Sequence, residues 1–600
     1  MCGIAGIFGQ SYPDSARLHR ALEKLSQRGP DGNGVRLFNN KEASNGALIH
    51  TRLSIRDLSV NGAQPMSNED GSLWIVYNGE CYGWEKDREY LESRGHRFRS
   101  GTDTEFILHG YEEWGRQVLE RLRGMFAFAI LDMRRGRLFC ARDRLGKKPF
   151  YFTAKNGMFC FASTIGALRE LMPEKPRLDP QGIDAYLAHR YVPSPLSIFE
   201  GVEKLPPAHF LIVDLENPRA LQATEYWSPE PVVTNLVEDL LRESLRLRLV
   251  SDRPVGLFLS GGIDSHALAS LLANNPDVSA FTASFDDSRF DEAAEASTIA
   301  SSVGLKHSIL PIKIKNDDIE AIVGDLDEPF ADPSAIATWY LCREATQHVK
   351  VALSGDGGDE LFAGYKRYQK HLASKKFGWL RPLGLILPRQ SGWIDKRNFF
   401  GRLARIRLQA NLSWSDSYVL RFSGVDPITR AYLQPALKVL PLHHWRLPAF
   451  AATRDPLEWM LECDRLNYLP DYILKKGDLC GMAHGLELRS PYLDHKFFQS
   501  VIGMRREERF TNPPKALLRR ISSRAEAGPK RGFNPPLDAW IASPGIRDWI
   551  TELPQTLERL TGGQIEGVRL SRVLAEGNGV SSEWLWQLVL LQISLSKLTK

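Results

Sequence analysis

The 600-residue sequence lacks an apolar run long enough to cross a bilayer. Its longest, near Trp379–Leu387 and Trp584–Leu595, are shorter than the ~20 residues a spanning helix needs. The start, MCGIAGIFGQ, has neither a basic n-region nor a long h-region and does not read as a signal peptide. Cysteine is sparse. Its seven positions (Cys2, Cys81, Cys140, Cys160, Cys342, Cys463 and Cys480) include no CxxC pair and fall far below the density of a disulfide scaffold, so reduced thiols in a reducing compartment are expected. A strong charge imbalance is also missing. A net charge of +5 gives no footing for nucleic acid or an anionic membrane, and the Arg-rich stretch Leu241–Arg253 reads as the solvated face of a helix. These absences lead to the expectation of a cytoplasmic soluble protein.

What is present divides in two. The first ~165 residues hold short apolar runs at Gly3–Phe8, Ala47–Ile55, Leu73–Tyr77, Met125–Leu131, Leu138–Ala141, Phe150–Phe152 and Met158–Phe161. Helical patterns carry Leu18, Leu22 and Leu25, then Phe106, Leu108 and Tyr111. This mixture predicts a layered α+β domain. From about Val232 strands at Val255–Leu259, Val278–Phe285, His307–Ile312 and Val349–Leu353 alternate with helices at His266–Ala273, Glu292–Val303 and Ala335–His348, the rhythm of a doubly wound parallel sheet. Beyond residue ~370 the pattern is mainly helical. The expected division is 1–213, a polar linker at 214–231, and 232–600.

Cys2 carries no meaning alone. Loss of the initiator Met would make it the first residue, and a free α-amino group, titrating near pH 8, could act as general base toward its own thiol. Attack on an amide needs an oxyanion hole, which Asn78 and the Gly79 backbone could supply. A free amino acid needs a cation for its carboxylate, suiting Arg52, and anions for its ammonium, suiting Asp103 and Glu80. The pieces MCGIAG, RGPDG, HTRLSI, NGE, SGTDTE, RGMFAFAI and RDRLGKKPFYF resemble, in this order, the class II N-terminal-nucleophile glutamine amidotransferases. The resemblance implies Cys2 as nucleophile and Arg52, Asn78, Gly79, Glu80 and Asp103 as the glutamine pocket. Gly83 and Thr164 depart from that family's usual Asn and Glu.

The segment VGLFLSGGIDS (Val255–Ser265) sets a Ser-Gly-Gly loop between strand and helix, where backbone N–H groups can close around phosphate oxygens. It lacks the Lys of a GxxxxGK[ST] loop and suits a pyrophosphate leaving group. A second acidic glycine loop, LSGDGGDELFAGY, follows the strand ending at Leu353, and Asp264 and Asp359 become candidate ligands of one Mg²⁺. Both loops, with ILKKGDLCGMAHGLELRSPYLDH and GPKRGFNPPL, resemble the ATP-pyrophosphatase domain of the asparagine synthetase family. The resemblance implies an N-terminal-nucleophile glutaminase sandwich fused to an α/β ATP-pyrophosphatase domain with helical additions. It places Leu259, Ser260, Gly261, Gly262, Asp264, Ser265, Ser354, Gly355 and Lys530 at ATP and pyrophosphate, with Asp356 as acid/base near ammonia. It also gives roles to Asp478, Glu487, Arg489 and Asp494 in a helical segment, while Gly528 replaces a usual Arg. The implied reaction uses glutamine, ATP and Mg²⁺ to amidate aspartate, or else another carboxylate such as a sugar acid or a natural-product precursor. A homodimer is the usual state of such enzymes.

Overall fold

The computed structural model describes residues 2–9, 14–39, 45–218, 221–285, 291–315, 317–376, 393–394, 399–438, 440–449, 455–522, 537–576 and 580–599. The amino-terminal region contributes β1 (Gly3–Gly9), β2 (Gly32–Asn39), β3 (Asn45–Arg52), β4 (Met66–Ser67), β5 (Leu73–Cys81), β6 (Gly124–Asp132), β7 (Arg137–Arg142), β8 (Tyr151–Lys155), β9 (Met158–Ala162), β10 (Glu203–Lys204), β11 (His209–Asp214) and β12 (Thr224–Glu225). They form two antiparallel six-stranded sheets, ordered β10-β8-β9-β1-β3-β2 and β12-β11-β7-β6-β5-β4.

Period-two alternation sets the layers. Ile4 and Phe8 of β1 face the second sheet and join Val76, Ala127, Leu131 and Leu138 in one core. Ala5 and Ile7 point the other way, against Leu18, Ala21 and Leu25 of the helix Ser15–Leu25. On the far side Phe106, Ile107 and Tyr111 of the helix Asp103–Trp114 cover Ile75, Phe126 and Phe128. The result is a helix–sheet–sheet–helix sandwich with β1 buried along its whole length.

The carboxyl-terminal region adds β13 (Val255–Phe258), β14 (Val278–Ser284), β15 (Lys306–Pro311), β16 (Val351–Leu353) and β17 (Glu487–Arg489), all parallel, in the order β15-β14-β13-β16-β17. Strand order reverses between β13 and β16, the position at which open α/β sheets bind ligands beyond their carboxyl ends. The Ser-Gly-Gly loop and the LSGDGGDE loop leave these two strands.

Three expectations need correction. Glu487 and Arg489 lie on β17, the sheet's edge strand, and not on a helix; only Asp478 is helical, in Lys475–Met482. Within 214–231, Thr224 pairs with Phe210, so part of this stretch is a strand of the second sheet. The helix Val237–Arg248 does present Arg242 and Arg246 to solvent opposite buried Leu241 and Leu245, but Arg248 departs from that face and is buried. The closing helix Ser582–Leu598 packs on the amino-terminal region, where the Gln587 amide donates to the carbonyls of Tyr186 (2.8 Å) and Leu187 (3.0 Å). Among the described residues no helix is long and apolar enough to cross a membrane, and all seven cysteines are free.

Candidate active sites

Cys2 stands at the head of β1, buried, and its neighbours fix it. Its backbone N–H donates to Asn78 Oδ1 (3.1 Å), and its carbonyl accepts from Arg28 Nε (3.3 Å). The next N–H, of Gly3, donates to Thr51 Oγ1 (3.1 Å). Burial pushes the thiol up, opposed by the Leu53 backbone N–H and by Arg52. Asn78 is fully buried on β5 and its Nδ2 has no hydrogen-bond partner. A buried, unsatisfied amide donor costs roughly 1–3 kcal/mol and points to a ligand oxygen. Gly79 follows on the same strand, in register with Phe126.

The remaining pocket residues converge here. Asp103 opens the helix Asp103–Trp114, and its Oδ2 accepts from the Tyr77 hydroxyl and the Cys81 N–H, each at 2.7 Å. Burial pushes Asp103 up and, aided by the Asp103 charge, raises Glu80 to about 8. Glu80 meets Arg56 (3.5 Å) and Arg489 (3.4 Å), two cations that pattern reasoning did not assign to this pocket. Arg52 holds the turn beyond β3 through the carbonyls of Ser59 (2.7 Å) and Asp57 (2.5 Å). Gly83 has φ of +69°, a left-handed conformation that Gly and Asn share, which explains this departure from the usual Asn. Thr164 caps the helix Ile165–Leu171 by accepting from the Ala167 N–H.

At the switch point of the parallel sheet lies a cavity of about 460 Å³, lined by Leu259, Ser260, Gly262, Asp264, Ser265, Ser354, Gly355, Asp356 and Asp359. Ser265 Oγ bonds Ser260 Oγ (3.0 Å) and accepts from the Ser260 N–H (3.1 Å), locking the loop. The Gly261 N–H donates to the Glu292 carboxylate (3.2 Å), so an anion already sits on this loop. The helix Ile263–Leu271 behind it has no side-chain cap at Gly262.

Asp264 and Asp359 do converge, on a residue the sequence reading missed. Lys515 Nζ lies 2.7 and 2.6 Å from the Asp264 oxygens and 2.5 Å from Asp359 Oδ1. Gly358 permits this approach, since a Cβ there would stand 2.7 Å from Asp264 Oδ1. Two carboxylates focused on one cationic point fit a Mg²⁺ site. Asp356 Oδ2 accepts from Ser354 Oγ (2.8 Å), which meets Ser490 Oγ (2.9 Å); Lys147 Nζ of the amino-terminal region donates to Ser490 (2.5 Å). Lys530 lies outside the described residues.

A sequence profile described as a glutamine amidotransferase domain matches residues 1–227, and one described as asparagine synthase matches 236–597. The chain belongs to the asparagine synthase family. It is 30% identical to a putative glutamine-hydrolysing asparagine synthetase of Mycobacterium tuberculosis, over 99% of this chain and 96% of that one. It is 29% identical to asparagine synthetase 1 of Bacillus subtilis, covering 92% and 90% respectively. The amidase chry2 of Gibberella zeae is 27% identical, covering 84% and 82%. The family and the two half-chain matches make this a glutamine-dependent carbon–nitrogen ligase driven by ATP.

These domains meet through buried charge. Asp478 receives Arg28 (2.9 Å) and Lys148 (3.2 Å) from the glutaminase domain. Burial alone would raise its carboxyl, yet these cations hold it below the ordinary range. Asp494 receives Arg123 (2.8 Å) and Arg248 (3.2 Å), and Glu328 receives Lys204 and Lys475, both at 2.6 Å. Asp478 and Asp494 thus sit at the domain seam and are not among the residues lining the cavity at the switch point.

Proposed function

We propose that the enzyme makes asparagine from aspartate in a reducing cytoplasm, with a glutaminase domain (1–213, closed by the strand Thr224–Glu225) and a synthetase domain (232–600). After removal of Met1, Cys2 Sγ attacks the glutamine carboxamide carbon. Its proton passes to the free α-amine and on to the departing ammonia. Asn78 Nδ2 and the Gly79 N–H hold the oxyanion, while Arg52 takes the substrate carboxylate and Asp103 and Glu80 its ammonium. Hydrolysis of the glutamyl thioester then frees glutamate.

At the second site the acceptor carboxylate attacks the α-phosphorus of ATP and pyrophosphate leaves. The backbone of Leu259–Gly262, with Ser265, Ser354 and Gly355, holds the nucleotide, and Lys515, together with Lys530, balances charge on the departing pyrophosphate. Asp264 and Asp359 would hold Mg²⁺, which when bound neutralises phosphate oxygens. Asp356 accepts a proton as ammonia attacks the acyl carbon, and AMP leaves.

The observation that carries this reading is the buried Cys2 held through its N–H on Asn78, whose own Nδ2 is left unpaired, with Arg28 and Asp478 linking Cys2 to the domain that holds the phosphate loops. The test is incubation of purified protein with glutamine, ATP, Mg²⁺ and aspartate. Asparagine, AMP and pyrophosphate in equal amounts are expected. Glutamate without asparagine would replace aspartate by another carboxylate, a reading that the likeness to a fungal amidase keeps open.

A further inference from the structure

Away from both sites, on the outer face of the glutaminase sandwich, four side chains from three segments meet. Glu69 lies in the turn between β4 and β5, His96 follows the helix Glu85–Ser93, and His109 and Glu112 share one face of the helix Asp103–Trp114. One donor atom from each lies within 4.8 Å of all the others. His96 Nδ1 and His109 Nδ1 stand 3.2 Å apart. From His109 Nδ1 the distances to Glu69 Oε2 and Glu112 Oε2 are 3.8 and 4.0 Å, and from His96 Nδ1 to Glu112 Oε2 3.9 Å.

We propose that this cluster is a structural binding site for a zinc-class divalent ion, held by His96 Nδ1, His109 Nδ1, Glu69 and Glu112. Zinc bonds of about 2.0–2.2 Å to nitrogen and oxygen put tetrahedral donors about 3.4 Å apart. The four donors therefore need shifts of well under a side-chain length to close on an ion. Two imidazoles among the donors favour zinc and its neighbours over Mg²⁺ or Ca²⁺, which take oxygen.

The surroundings supply the second, independent observation. Metal-bound histidines turn their other ring nitrogen to a carboxylate or carbonyl. Both rings do so here: His109 Nε2 faces Glu105 (3.8 Å) and His96 Nε2 faces Glu113 (3.7 Å). Those outer carboxylates are themselves fixed, Glu105 by the N–H groups of Arg99 (2.8 Å) and Ser100 (2.7 Å), Glu113 by Arg94 (3.0 Å). The far oxygen of each inner carboxylate is also held, Glu69 Oε1 by the Arg97 N–H (2.8 Å) and Glu112 Oε1 by Arg134 (3.3 Å). Glu69 Oε2 and Glu112 Oε2, the latter also accepting from Asn68 (3.1 Å), are left facing the imidazole nitrogens. His109 is buried while Glu69 is exposed, so an ion can enter from solvent. An ion here ties the loop carrying His96 to the helix that begins at Asp103, on the side of the sheet opposite the nucleophile strand.

The test titrates the full-length, chelator-stripped protein with Zn²⁺ alone by calorimetry and with Co²⁺ by absorption spectroscopy. Wild type should take up one ion per chain, with Co²⁺ giving ligand-field bands and no thiolate charge-transfer band. His96→Ala should weaken binding at least about 100-fold, as loss of a ligand exceeds the 10–100-fold loss typical of an outer partner. Glu69→Gln removes an exposed donor without touching the core and should also weaken binding. Added Zn²⁺ should raise the thermal midpoint of wild type and leave that of both variants unmoved. Failure of wild type to take up the ion, equal uptake by the variants, or a thiolate band would overturn the proposal.

Discussion

Asn78 makes the sharpest single-residue claim. It presents one amide oxygen to the Cys2 N–H and leaves its buried Nδ2 unpaired. Asn78→Ala should lower glutamine-driven kcat about 10²–10³-fold, the cost of one oxyanion donor, while ammonium-driven turnover stays unchanged. Equal loss in both assays would place Asn78 in folding, not catalysis. Glu80 gives a pH signature. Burial and Asp103 raise it to about 8, so near neutrality it is mostly protonated in the free enzyme. An arriving α-ammonium favours the charged form, so glutamine binding releases a proton below pH 8. Glutamine affinity should then rise with pH by up to about tenfold per unit until pH 8 and level off above it. Calorimetry on Cys2→Ala, which cannot turn over, measures this, and Glu80→Gln should flatten the slope.

Among elements, the boundary at Asp494 is the most exposed to test. Its carboxylate caps the helix His495–Ile502 through the N–H groups of Lys496 (3.1 Å) and Phe497 (3.4 Å), and it also receives Arg123 and Arg248. Asp494→Ala leaves the buried Arg248 without its carboxylate and Arg123 with Glu243 alone (2.8 Å), and should destabilise the protein by about 3 kcal/mol in urea denaturation. A change under about 1 kcal/mol would mean the charges are solvated. Strands with long apolar or alternating runs were legible in the sequence, and so were the two loops after β13 and β16. Elements without such a pattern were not. β2 is an edge strand with a largely exposed face, and β17 has three residues inside an apparently helical run. Lys515 left no local signal, because its partner Asp264 is 251 positions away and only the fold brings them together. Cys2, Asn78, Glu80 and Asp103 were named from the ordered set of short motifs that carries the family resemblance, whereas Arg56 and Arg489 reach Glu80 from different domains.

At the scale of the whole molecule the seam between domains is built from buried ion pairs. Arg28 touches both the Cys2 carbonyl and Asp478, so Cys2 is one side chain away from the helix Lys475–Met482 of the second domain. Arg28→Met should leave glutamine hydrolysis running while the amide formed per glutamate released falls, since ammonia then escapes. Unchanged stoichiometry would remove Arg28 from the coupling. The seam should also loosen in acid. Despite its burial, Glu487 is held at about 2 by the amino-terminal charge and then by Arg489 and Lys148, and Asp478 is held low by its cations. Their stabilisation is complete above the ordinary carboxylate range, near pH 4.5, and is lost as pH falls toward 2.

The most direct test of a thiol site feeding an adenylating site within one chain follows ¹⁵N from the glutamine amide, in a bath of unlabelled ammonium, while nucleotide products are counted. The label should appear undiluted in the product amide, one AMP and one pyrophosphate accompanying each, and should vanish with Cys2→Ala. ADP with orthophosphate, or label diluted to the composition of the bath, would contradict it.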